Sequence, residues 1–94
     1  MSSLTHAKVV WLTPLLTDPQ AREMIKRIDN ASLYVIGSAD EVYDGAFVSR
    51  LEEKPSARVM VIDGADHSLE VADPVRSIDI LKDIVEAIQE FVWR

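Results

Sequence analysis

The chain has 94 residues, 48% of them hydrophobic and only three glycine and four proline, which is enough apolar material for one small folded domain and too little polarity for a disordered chain. Sixteen acidic against 10 basic residues, a net charge of −6, argue against nucleic acid or an anionic membrane as the main partner, because both call for concentrated positive charge. Cysteine is absent, the Met-Ser-Ser-Leu-Thr-His start carries no signal-peptide pattern, and no apolar run nears the ~20 residues of a membrane span; disulfides and thiolate chemistry are excluded, and a soluble, cytoplasmic protein is expected.

Residues 1–7, with His6 among them, are expected to form a frayed terminus without a site role. Residues 8–12, Lys-Val-Val-Trp-Leu, are β-branched and aromatic and stop at Thr13-Pro14, which predicts a first strand headed by Lys8 and closed by Leu12. Asp18-Pro19 supplies a cap and a first helical residue, and Ala21, Met24, Ile25 and Ile28 share one face of a helix predicted over 19–29. Residues 32–36, Ser-Leu-Tyr-Val-Ile, predict a second strand closed by Gly37. Tyr43, Phe47 and Leu51, at successive fours, place a second helix over 42–53, with Glu52-Glu53-Lys54 as its solvated end and Pro55 beyond it.

Residues 59–62, Val-Met-Val-Ile, read as a strand covered on both faces, and Gly64 permits the sharp turn that ends it. Ile78, Leu81, Ile84, Val85, Ile88, Phe91 and Val92 then recur at threes and fours, which predicts a long closing helix. Asp73-Pro74 and Ser77 both offer cap chemistry; Ser77, followed by Asp79 near the positive helix end, is the preferred start. The alternation predicts an α/β fold of three short parallel strands with three helices, βαβαβα, as one unit over 8–94. Three strands make a thin parallel sheet, only three helices are available to cover it, and one edge strand has no partner in this sequence.

The second strand runs into Gly37-Ser38-Ala39-Asp40 and the third into Gly64-Ala65-Asp66-His67, so a carboxylate and an imidazole follow two strands at equivalent places. With neighbouring strands ~4.8 Å apart, an Asp40–His67 hydrogen bond is geometrically reasonable. Such a carboxylate fixes the imidazole tautomer and stabilises the imidazolium, which is the supporting half of a nucleophile–base–acid triad. Past the carboxyl ends of parallel strands is also where open α/β sheets place ligands.

Val35-Ile36-Gly37-Ser38-Ala39-Asp40, a helix, and Val61-Ile62-Asp63-Gly64-Ala65-Asp66-His67-Ser68-Leu69-Glu70 before a long closing helix resemble the carboxyl-terminal portion of an α/β-hydrolase, in particular small esterase-like or dienelactone-hydrolase-like members. The likeness covers roughly residues 8–93. It implies that Asp40 is the catalytic acid and His67 the general base, with Asp44 the rival acid and Asp66 a turn residue. The family's nucleophile elbow, Gly-x-Ser-x-Gly, is missing: the glycines are Gly37, Gly45 and Gly64, and no serine is bracketed by two of them. The order of elements implies that the family's earlier strands would precede Lys8, so the chain reads as the second half of a hydrolase, with half of an α/β-hydrolase sheet.

The first functional reading is therefore the acid-and-histidine part of a serine ester or thioester hydrolase, inactive without its serine and taking a small ester-type substrate only in a complete enzyme. The alternative is a non-catalytic α/β interaction module. In either case association is expected through the strand of residues 8–12, with a second copy or a complementary half. Neither cofactor nor metal is expected. Ser38 and Ser68 flank the pair, but neither sits on a strand-to-helix elbow backed by donors. Trp11 and Trp93, both in apolar runs, read as packing residues, and Glu70 reads as a surface carboxylate in preference to a residue lining a site mouth.

Overall fold

A computed structural model describes residues 7–93. The elements follow one another as β1 (Val9–Leu12), α1 (Pro19–Arg27), β2 (Ser32–Gly37), α2 (Gly45–Glu52), β3 (Ala57–Ile62) and α3 (Pro74–Trp93). The three strands form one parallel sheet in the order β1-β2-β3, with Val9 opposite Ser32 and Ser32 opposite Ala57. This is the expected α/β fold. Ala7, counted in the frayed stretch, is tied down: its carbonyl accepts from the Asn30 side chain at 2.8 Å. His6 lies outside the described residues.

Alternation along β2 builds the core. All six of its residues are buried. Tyr34 and Ile36 face a cluster made with Leu16, Ile25, Phe47, Val48 and Leu51, while Leu33 and Val35 face a second one made with Ile62, Ala65, Ile80, Ile84 and Phe91. Thus α1 and α2 cover one face, and α3 alone covers the other. Only β2 is buried along its whole length; β3 is covered in part on both faces, by Ala57 and Val59 against the first cluster and by Met60 and Ile62 against the second. In β3 only Ile62 is buried and Val61 is exposed, because the strand order places β3 at an edge, which an apolar run by itself does not reveal.

Helix boundaries follow their caps. Asp18 accepts from Ala21 N at 3.2 Å and Pro19 opens α1, which ends two residues earlier than the 19–29 expectation. The second helix begins at Gly45, later than Val42, because Asp44 is its cap and accepts from Phe47 N at 3.1 Å. The third begins at Pro74 rather than Ser77: Asp73 Oδ1 accepts from Val75 N at 3.0 Å and proline suits the first helical turn. Ser77 has another task, since its hydroxyl accepts from Val71 N and donates to Val71 O, both at 3.0 Å. Lys54 is not merely solvated; its ammonium donates to the carbonyls of Ile25 and Ile28 at 3.0 and 2.9 Å, closing the C-terminal end of α1.

The tryptophans part company. Trp11 stacks on Tyr34 with ring centroids 6.0 Å apart, as a packing residue should. Trp93 is exposed, which corrects its reading: Phe91 holds the buried position, and two residues further along a helix points to the far side.

Candidate functional site

Where β2 and β3 end, the chain makes two turns that lock together. Ser38 N donates to Ile62 O at 3.1 Å and Ala39 N to Ala65 O at 2.9 Å, so the loop after β2 continues the ladder onto the loop after β3. Gly37 is the hinge of this junction. A Cβ there would lie 2.7 Å from Asp66 O and closer still to Ala65 O, both backbone atoms, so only glycine lets the two loops approach this far. Gly64 takes φ +78, which serves the turn after β3.

Each loop is then held from within. After β2, Tyr43 N donates to Asp40 O at 3.0 Å and Val42 N to Asp40 Oδ1 at 3.0 Å, which fixes the carboxylate plane. After β3, Asp66 Oδ1 accepts from Ser68 N and Glu70 N at 2.9 and 3.1 Å, and Leu69 N donates to Asp66 O at 2.9 Å. Leu69 adopts φ 61, a conformation that leucine rarely takes, and packs against the α3-side core. These contacts leave His67 at the tip of a tightly closed loop.

His67 Nδ1 lies 2.7 Å from Asp40 Oδ2. The Asp40 side chain is only 3% exposed and that of His67 is 55% exposed. A carboxylate can only accept, so Nδ1 carries a proton, and in the neutral ring Nε2 keeps its lone pair. Among the described residues Nε2 makes no hydrogen bond. The pair lines an open hollow of about 510 Å³ with Leu15, Ala39, Glu41, Val42, Asp66 and Ser68. A buried acid, an oriented imidazole and an outward basic nitrogen form a unit able to take a proton from a nucleophile and return it to a leaving group.

The other candidates have structural tasks. Asp44 caps α2 and forms an ion pair with Arg22, whose guanidinium also donates to Leu16 O. Ser38 bridges the loops, accepting from Gly64 N at 2.7 Å and donating to Asp63 Oδ1 at 3.3 Å. Ser68 lies on the rim of the hollow and Glu70 is exposed. No group of three or more His, Cys, Asp or Glu side chains able to hold a metal ion occurs among the described residues.

The Phe47 N–H above all, and then the Arg22 guanidinium, hold the Asp44 carboxyl below its usual range against the opposing pull of desolvation. A depressed carboxyl adds stability that is present above the unfolded-state value and fades as pH falls through the lower folded value. We predict that Asp44→Asn lowers the urea midpoint at neutral pH and that wild type and variant converge under acid conditions. A gap that stays constant into strong acid contradicts this.

Comparison with models of protein families, with curated proteins and with solved structures returns no match to this chain. No described helix is long and apolar enough to cross a membrane.

Proposed function

We propose that this chain is the carboxyl-terminal part of a serine hydrolase of α/β-hydrolase type, acting on an ester or thioester, in which Asp40 is the catalytic acid and His67 the general base. The observation that carries the reading is the 2.7 Å His67–Asp40 pair past adjacent parallel strands, with Nε2 open to the hollow. In this scheme His67 Nε2 takes the hydroxyl proton as a serine attacks the carbonyl carbon. Asp40 stabilises the imidazolium, and His67 then gives the proton to the departing alcohol or thiol. A water activated by the same nitrogen releases the acyl group.

The serine and the oxyanion donors come from polypeptide outside this chain, since no serine in the sequence is bracketed by glycines and none among the described residues stands on a strand-to-helix elbow. We predict that the chain alone turns over no short-chain aryl ester above background, whereas a chimera carrying a Gly-x-Ser-x-Gly strand–turn–helix unit ahead of Lys8 does, with the activity lost in His67→Ala. Turnover by the chain alone that disappears in His67→Ala contradicts the division of labour. A folded chimera whose turnover is indifferent to His67 contradicts the assignment of the base. The absence of cysteine suits the reducing cytoplasm, where we place the protein.

The second reading, a non-catalytic α/β interaction module, is favoured by a different observation: Leu12, at the open edge of the sheet, is exposed beside apolar side chains of α3. The two readings part on the chimera, which stays inactive if His67 only shapes its loop.

A further inference from the structure

The open edge and the last helix meet in one apolar surface. Val9 N and Thr13 N donate to Ala31 O and Val35 O at 2.9 Å each, so these residues turn toward β2, and alternation turns the backbone groups of Val10 and Leu12 outward. Edge strands normally carry a charge, a proline or a bulge that prevents pairing. Here Lys8, the charged residue next to the strand, has its ammonium drawn onto Phe91 O at 2.8 Å at the far end of α3, and proline comes two residues after the strand.

On α3, Ile80, Ile84 and Phe91 face the core. About a third of a turn round lies a second stripe, Ile78, Leu81, Val85 and Val92, at spacings of three, four and seven, which is the seam pattern of a helix that packs on another helix. Ile78 is 67%, Leu81 61% and Leu12 53% exposed. Ile78, Leu81 and Leu12 line one groove of about 480 Å³ that opens on the β1 side of α3. Leu12 and the stripe together expose apolar surface on the order of 500 Å², at the upper end of what monomers show in one patch.

We propose that a second copy of this chain covers this surface, across a two-fold axis perpendicular to the sheet and passing beside Trp11. The symmetry satisfies both elements at once. Antiparallel β1 strands centred on Trp11 set Val10 opposite Leu12 of the partner, and each such pair exchanges two backbone hydrogen bonds. The two sheets become one of six strands. The same rotation leaves both α3 helices on one face, antiparallel and flanking the seam, so the stripes meet each other. Stripe, edge backbone and Val10 together approach the ~800 Å² per partner of a stable interface, and the contact is closed and isologous. The inference rests on the sheet edge and α3, and not on the proposed chemistry.

Sedimentation velocity on the full chain, from low micromolar upward, tests it. The wild type is expected to sediment as a dimer. Leu12→Lys and Leu81→Glu, both at exposed positions and checked for an unchanged far-ultraviolet spectrum, are each expected to shift it to monomer by tenfold or more in dissociation constant. Val61→Lys, on the opposite sheet edge, is expected to leave the dimer intact. Because the chain has no cysteine, single-cysteine variants report neighbours directly: under mild oxidation Val85→Cys is expected to cross-link to its own partner and Glu23→Cys, on α1, to stay single. A monomer at every concentration overturns the proposal. So does a dimer unaffected by both Leu12→Lys and Leu81→Glu, cross-linking confined to Glu23→Cys, or growth into open-ended filaments, which a closed two-fold contact forbids.

Discussion

Gly37→Ala is expected to cost more stability than any other single-methyl addition to the chain and to part the Asp40–His67 pair. The new methyl would meet the carbonyl oxygens of Ala65 and Asp66, which are backbone and cannot swing aside as a flexible side-chain end can. Relief requires the loop after β3 to retreat from the end of β2, which breaks the bond from Ala39 N to Ala65 O and moves His67 off Asp40. Overpacking of this kind costs about 1–3 kcal/mol, and the lost hydrogen bonds push it toward or past the top of that range. Gly64→Ala is the control. Its Cβ meets nothing within 4 Å and its only penalty is φ +78, so about 1 kcal/mol is expected. Urea unfolding of the two variants checks the ranking, and a Gly37→Ala loss no larger than that of Gly64→Ala contradicts the steric account.

Tyr34→Ala is expected to remove about a third to a half of the protein's stability while leaving it folded in the absence of denaturant. Tyr34 is 1% exposed, sits at the centre of the α1- and α2-side core, and stacks on Trp11 at an interplanar angle of 13°. Burial also pushes its phenol above the usual range, against a smaller opposing pull from Ser32. Truncating a buried aromatic to alanine costs about 3–5 kcal/mol, while roughly 0.1 kcal/mol per residue gives a chain of 94 residues a total near ~9 kcal/mol. Tryptophan emission during urea unfolding should show a midpoint displaced to low denaturant. Tyr34→Phe, which keeps the ring, should lose less than about 1.5 kcal/mol. Equal losses in the two variants would place the hydroxyl, and not the packing, at the centre of the effect.

Element order and the neighbouring positions of Asp40 and His67 were legible because they rest on short-range patterns: apolar runs broken by glycine, and two loops of equal reach beyond adjacent strands. What the residues hid was relational. The Val59–Ile62 run reads as a strand covered on both faces, yet at the edge of the sheet only Ile62 of β3 is buried, and how far neighbours cover a strand is a property of the whole sheet. Ser77 and Asp73 are both sound caps; the choice fell to Asp73 because Ser77 was engaged by Val71 across the loop. Gly37 could be read as a strand terminator but not as the contact point of two loops, since Ala65 and Asp66 lie far from it in sequence. Thr13 at φ 48 and Leu69 at φ 61 left no trace, because neither residue type favours that conformation.

The claim on which the functional reading turns is that Asp40 holds His67 with Nδ1 protonated and Nε2 presented as a base. Long-range nitrogen–proton correlation spectra of the His67 ring, recorded across a pH series, read the tautomer of the neutral ring directly. The account predicts the Nδ1–H form in the wild type and its loss in Asp40→Ala, in a protein whose backbone spectrum is otherwise preserved. An Nε2–H ring in the wild type, or a tautomer indifferent to Asp40, contradicts it.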